Sequence, residues 1–179
     1  MLCLREANME DLEQEYVFIT NTPANENGFT NPHAGCSREE FEQKILPGYI
    51  DAARGVGLRE GRVPQTQLFL WDDGQIVGLF RIRHYLTEAL ASGAGHIGYG
   101  IGKAFRGRGY ASAGLRLTIQ KAWDIIREDE IYMSVSRDNP ASLRVQMKNG
   151  AYIHHEDELE FYTRIKRQTE NLMNTVNDL

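Results

Sequence analysis

Eight of the 17 glycines fall between Gly93 and Gly114, and inside that stretch Arg106 and Arg108 alternate with Gly107 and Gly109. Glycine lets a backbone come close to a ligand and adopt turns that other residues resist. If the segment opens a helix, the exposed N–H groups of the first turn, the positive end of the helix dipole and two guanidinium charges meet at one place. That combination suits a pyrophosphate. Without Cβ atoms at positions 107 and 109, the phosphates can reach the main chain.

Such chemistry needs a strand before the loop and a helix after it, and both are legible. Residues 95–101 read as a strand. From Tyr110 to Ile126 the apolar residues Ala111, Leu115, Ile119, Ala122, Trp123 and Ile126 recur at three and four, which predicts a helix with one buried stripe. A mononucleotide loop requires Lys and then Ser or Thr after its last glycine, whereas Gly109 is followed by Tyr110 and Ala111. A dinucleotide loop requires a third glycine and an acid ending the next strand. Gly107-x-Gly109 lacks the former, and Asp129 and Glu130 precede the strand, so this reading stays as a second choice.

The remaining elements alternate. Residues 3–6 read as a short strand, and Asn8 as the cap of a helix carrying Met9, Leu12, Tyr16 and Ile19. Residues 21–35 are rich in Asn, Pro and Gly and read as a loop. Ser37 with Glu40 forms a capping-box pattern for a helix through Phe41 and Ile45, which Pro47 and Gly48 bend or interrupt. Residues 67–71 and 76–85 read as a hairpin turning at Asp72, Asp73 and Gly74. A strand over 131–135 precedes a short helix bracketed by Asn139, Pro140 and Gly150. Strands over 151–154 and 161–165 complete an α/β pattern. Residues 1–167 are expected to form one domain and residues 168–179 a tail or docked helix. There Leu172, Val176 and Leu179 are spaced for an intersubunit contact in a homodimer.

With 20 basic against 25 acidic side chains the formal charge is -5, too balanced for a nucleic-acid partner. No apolar run is long enough for a signal peptide or membrane span. Cys3 and Cys36 lack metal-ligand or disulfide-framework spacing, so no metal is expected and a reducing cytoplasm fits best.

The loop also carries a resemblance. Arg106-x-x-Gly109-x-Ala111, between a strand containing Ile97-Gly98-Tyr99 and an amphipathic helix, resembles the acetyl-CoA pyrophosphate motif of the GNAT superfamily of N-acyltransferases. The strand over 131–135, the run Asn139-Pro140-Ala141-Ser142 and the run Lys148-Asn149-Gly150 resemble that family's second motif block. The likeness spans residues 67–165 and is nearest the branch of ribosomal-protein N-terminal alanine acetyltransferases. It implies a mixed, mostly antiparallel α/β sheet splayed between its fourth and fifth strands, with helices on both faces. It implies transfer of acetyl from acetyl-CoA to a primary amine, on a small molecule or a peptide N-terminus, within a ternary complex.

The same resemblance assigns contacts. Tyr99, Gly100 and Ile101 would bind pantetheine through the main chain and stabilise the oxyanion. Arg106, Gly107, Arg108, Gly109, Tyr110 and Ala111 would hold the pyrophosphate, with Ser112 in the first helical turn. Asn139 would touch pantetheine or acceptor, and Ser142 would join it at the same helix start. An ammonium cannot attack a thioester, so a base is needed. His96 takes the strand position of a family carboxylate and is the first candidate base, the alternative being a half-buried strand histidine with both nitrogens satisfied; His84 and Glu88 are further candidates at the border of the acceptor pocket. Many relatives place an acidic tyrosine four residues before the glycine matching Gly150, where this chain has Gln146. Water, Tyr99 or Tyr162 would replace it, or the thiolate would leave unaided, since a thiol of pKa about 8.5 is a tolerable leaving group near neutral pH; otherwise the chain would be a non-catalytic CoA-binding module. The acceptor pocket is expected between the loops over 21–35 and 86–94.

Overall fold

The structure, a computed structural model of the 179-residue chain, describes residues 1–26 and 28–167. Strands β1 (Cys3–Glu6), β2 (Gln65–Asp72), β3 (Gln75–Arg83) and β4 (Ile97–Ile101) form one antiparallel sheet in that order. Strands β5 (Glu130–Ser136), β6 (Tyr152–Glu156) and β7 (Glu160–Lys166) form a second, ordered β5-β7-β6. The central strand β2 buries both faces, because its alternate residues enter different cores. Leu68 and Leu70 pack with Phe80, Ile82, Leu115 and Ala122 of β3 and α4 (Tyr110–Ile125). Phe69 and Trp71 pack with α1 (Leu12–Asn21) and α2 (residues 38–53), through Ile19, Phe41 and Leu46. Helices therefore cover both faces.

Two local expectations change on folding. Asn8 does not cap a helix directly: its Oδ1 accepts from the N–H groups of Glu10 and Asp11, both at 2.9 Å, and α1 begins only at Leu12. This side-chain turn leaves Met9 outside the helix and 49% exposed. Ser37 does cap α2, accepting from Glu40 N–H at 3.1 Å. Pro47 does not break the helix, because the turn before it widens into a π segment, Phe41–Ile45, and the helix resumes as Leu46–Ala53. The wider turn accommodates a ring that clashes in an α-helix and a residue with no N–H to give.

The two sheets meet at one end of β4 and β5. Gly95 and Met133 form an isolated antiparallel bridge, His96 N–H donates to Tyr132 O at 2.6 Å, and Tyr132 N–H donates to His96 Nδ1 at 2.9 Å. Gly95 has φ 65°, and a Cβ there would lie 2.2 Å from Tyr132 O. Beyond this join the strands separate and pair with different neighbours. The loop over 21–35 is pinned rather than loose. It contains a two-residue hairpin, Asn25–Glu26 with Phe29–Thr30, and buried Asn31 donates from Nδ2 to Ile19 O and Thr22 O, both at 2.8 Å. Among the described residues no helix is long and apolar enough to cross a membrane. The expected tail or docked helix with Leu172, Val176 and Leu179 lies outside the described residues.

Candidate active site

The hydrogen-bonding direction of β4 determines what faces the gap. Arg83 N–H donates to His96 O at 2.8 Å and Gly102 N–H to Val77 O at 3.0 Å, so the even-numbered residues between them turn their main chain toward β3. Ile97, Tyr99 and Ile101 then direct their N–H and C=O groups into the space between β4 and β5. Gly100, expected beside them as a main-chain ligand, has its main chain committed to β3. It contributes an approach surface instead, and its missing Cβ leaves room for Phe29, whose ring atoms would lie 3.3 Å from one.

At the wide end of the gap is the start of α4. Gly107 and Gly109 have φ 78° and 83°, and a Cβ at either would meet nothing within 4 Å. Among the described residues no side chain caps α4, and the first main-chain bond into it runs from Ala113 N–H to Gly109 O at 3.1 Å. The N–H groups of Tyr110, Ala111 and Ser112 thus open a turn with donor capacity and a positive dipole end. Arg106 gives Nε–H to Ile101 O at 3.0 Å and a fork to Glu26 Oε1 and Oε2 at 3.0 and 2.5 Å. That hydrogen-bonded guanidinium holds the Glu26 carboxyl below its ordinary value. Arg106, expected at the pyrophosphate, is thus engaged by Glu26 and by the main chain of β4.

One cavity runs along this surface. It is lined by Tyr99, Gly100 and Ile101, by Arg106, Gly107 and Gly109, by Tyr110, Ala111 and Ser112, and across the gap by Ser142 of α5 (Pro140–Lys148) and by Asn139 just before that helix. Arg108 is exposed and does not line it. Asn139 Oδ1 caps α5 by accepting from Ser142 N–H at 3.1 Å. Ser112 is tied to α5 as well, since Asn149 Nδ2–H lies 3.2 Å from Ser112 O and 3.3 Å from its Oγ.

A second cavity opens on the other side of Tyr99, and the two share Tyr99, Ser142, Asn139 and Phe29 as a partition. Tyr99 stacks on Phe80, with ring centroids 5.6 Å apart, and its hydroxyl lies 2.7 Å from Ser142 Oγ. Burial raises its pKa above the ordinary value, partly offset by hydrogen bonding to Ser142 and Gln146. Gln146 accepts from Thr163 Oγ1–H at 2.6 Å and lines the second cavity. Tyr162 is excluded from this place, because its hydroxyl donates to Asp157 Oδ2 at 2.9 Å on the exposed end of β7. The expected loop walls are present through Gly28, Phe29, Thr30 and Ala94. His84 and Glu88 do not line either cavity.

The structure does not bring His96 to the cleft. It has no exposed surface and lines neither cavity. Its Nδ1 is occupied by Tyr132 N–H, which assigns the proton to Nε2, 3.4 Å from Glu128 Oε1. Burial lowers its pKa, with Glu128 opposing, so the neutral ring is favoured. A histidine holding two strands together in this way cannot also meet a substrate amine. The features missing from the sequence reading are Glu26, Phe29, Arg81, Arg83 and Glu160. The signal for the arginines was present as two charges at alternate positions closing an otherwise apolar strand.

Residues 1–152 match the family model of the acetyltransferase (GNAT) domain, and the chain belongs to that family. It is an acetyl-CoA-dependent acyltransferase with the mixed, largely antiparallel GNAT fold. Similar solved structures include a RimL ribosomal L7/L12 α-N-protein acetyltransferase in complex with coenzyme A, with TM-score 0.67 and 20% identity, over 92% of this chain and 94% of that one. A ribosomal-protein-S5-alanine acetyltransferase from Vibrio fischeri matches with TM-score 0.64 and 17% identity, over 92% of each chain. A spermidine N-acetyltransferase from Vibrio cholerae, in complex with CoA and spermine, matches with TM-score 0.60 and 15% identity, over 92% of this chain and 95% of that one. A comparison with curated protein sequences found no match.

Proposed function

We propose that the protein transfers the acetyl group of acetyl-CoA to a primary amine within a ternary complex. In this reading the cofactor lies in the cavity along β4 and the start of α4, and the amine enters through the second cavity. The observation that carries it is the meeting of the two cavities at Tyr99, beside a strand edge whose Tyr99 and Ile101 main-chain groups pair with no strand among the described residues. Acetyl-CoA supplies an activated thioester there. Arg106, the N–H groups of Tyr110 to Ser112 and the open turn at Gly107 and Gly109 suit its diphosphate. Tyr99 N–H, directed into the gap between β4 and β5, would stabilise charge developing on the carbonyl oxygen.

Proton acceptance from the amine falls to Glu160, the carboxylate that lines the second cavity. The Tyr99 hydroxyl stands near Gln146, so it can serve the departing sulfur from the neighbouring strand. With its pKa raised, Tyr99 stays protonated, and complete proton transfer to a thiolate of ordinary pKa about 8.5 is uphill. Its contribution is a hydrogen bond to the sulfur. The case for a non-catalytic CoA-binding module rested on Gln146, and Tyr99 removes that motive. A cytoplasmic setting accords with the unpaired Cys3 and Cys36.

Calorimetric titration with acetyl-CoA tests the reading. Gly109 is a poor place for a blocking side chain, since its φ of 83° strains any L residue. Ala111→Trp fills the same cavity from a helical position. Wild type should bind and Ala111→Trp should lose at least about 100-fold in affinity, while retaining its circular dichroism. Equal binding by both would move the cofactor away from α4.

A further inference from the structure

We infer that the acceptor amine carries an anionic group, a carboxylate or phosphate, which Arg81 and Arg83 hold in the second cavity. This rests on the acetyltransferase reading and names the class of its second substrate. Strand β3 is apolar along most of its length and ends in Arg81-Ile82-Arg83. Period-two alternation turns both arginines to one face, about 7 Å apart, and both line the second cavity. Ile82, between them, is fully buried on the opposite face.

Neither guanidinium is ion-paired among the described residues. Arg81 Nε–H reaches Gln67 Oε1 at 3.4 Å, and its guanidinium stands 5.9 Å from the Phe29 ring centre. Arg83 Nη1–H donates to Gly95 O at 2.9 Å. By contrast, Arg5, Arg38, Arg106 and Arg137 each lie beside a carboxylate. Solvent screens those charges well, so the chain neutralises arginines that need it least and leaves the two half-buried ones facing each other. Burial pushes the Arg83 pKa down to about 10 and lowers that of Arg81, and Arg62 adds further repulsion to both.

An uncompensated pair of this kind destabilises a protein unless a ligand supplies the counter-charge. Planar guanidinium forks match the geometry of carboxylate and phosphate oxygens. Space for them is present: Gly98 is the cross-strand partner of Arg81, lines the same cavity, and a Cβ there would touch nothing within 4 Å. Glu160, across the cavity, receives the amine end of the same molecule. A polyamine would instead place extra positive charge against two arginines, so the likeness to spermidine acetyltransferases stops at the fold.

Release of CoA thiol, measured with matched amines, tests the assignment: L-alanine against L-alaninamide, glucosamine 6-phosphate against glucosamine, and spermidine. The anionic member of at least one pair should exceed its neutral partner at least tenfold in kcat/KM, and which pair responds identifies carboxylate or phosphate. In Arg83→Gln and Arg81→Gln that preference should fall to less than threefold while acetyl-CoA affinity is retained. Both arginines are half-buried and carry no ion pair among the described residues, so melting temperatures should stay near that of wild type and both variants remain usable. Independently of turnover, inorganic phosphate at fixed ionic strength should raise the melting temperature of the CoA-saturated wild type more than that of the Arg81→Gln/Arg83→Gln double variant. Preference for spermidine or the neutral amines, or equal phosphate shifts in wild type and double variant, overturns the inference. If acetyl-CoA fails to bind and no amine releases thiol, the acetyltransferase reading fails instead, and the phosphate shifts still report on the arginines.

Discussion

In the proposed reaction Tyr99 takes the part that Gln146 cannot fill. A glutamine cannot release a proton, yet the hydroxyl of Tyr99 reaches the Ser142 end of α5 from β4 and borders both cavities. A hydrogen bond to a charged atom contributes about 1.5–3 kcal/mol, equivalent to roughly 10- to 100-fold in rate. Tyr99→Phe keeps the ring stacked on Phe80 and removes the hydroxyl, with its bond to Ser142. Its kcat should fall by about 10- to 100-fold with acetyl-CoA affinity nearly unchanged; an unaltered kcat would leave the sulfur to water. His96 carries the complementary lesson. Its residue type and position suited a base, but the direction of its ring depends on where β4 loses regularity, and both nitrogens are turned toward β5 and Glu128.

Strands β4 and β5 must touch at one end and part at the other, and Gly95 is where the contact is made. A side chain there would occupy a left-handed conformation and press on Tyr132 O. Left-handed backbone costs about 1–2 kcal/mol for a residue with a Cβ, and overpacking about 1–3 kcal/mol more. Gly95→Ala should therefore lower the unfolding free energy by at least about 2 kcal/mol in urea titration and weaken acetyl-CoA binding, because the gap loses its hinge point. A change below about 0.5 kcal/mol would show that the join tolerates displacement. The existence of the strands, α4 and α5 was legible from periodicity and caps such as Asn139. This pairing was not, because residues 95 and 133 approach only after the sheets have formed.

At the scale of the whole molecule, Glu15 links stability to pH. It is fully buried between α1 and the sheet, and burial, reinforced by Asp11, raises its pKa from 4.5 to about 8 despite a bond from Asn8 N–H. The folded chain keeps this proton up to about pH 8, while the unfolded chain releases it near 4.5. Its contribution is thus fully present below about pH 4.5 and is lost as pH rises toward 8. Glu15→Gln, which cannot ionise, should gain on wild type across that window by up to about 1.4 kcal/mol per pH unit. Urea unfolding at pH 5, 6.5 and 8 checks this, and a constant difference between the two proteins would refute it.

By itself the amino-acid order determined the local choices: Gly107 and Gly109 before an apolar helix, Ser37 and Asn139 as caps, and alternation along β2 and β3. These depend on backbone preference and side-chain period over a few neighbours, and with the motif likeness they were enough to reach the family and its cofactor. Tertiary structure alone decided which side chains share the cleft. Arg81 and Glu160 come from distant strands, Glu26 crosses to Arg106 from a hairpin 80 residues away, and His96 is withdrawn into the sheet join. Local periodicity specifies how a strand alternates; only packing of the helices and sheets decides which face becomes the pocket.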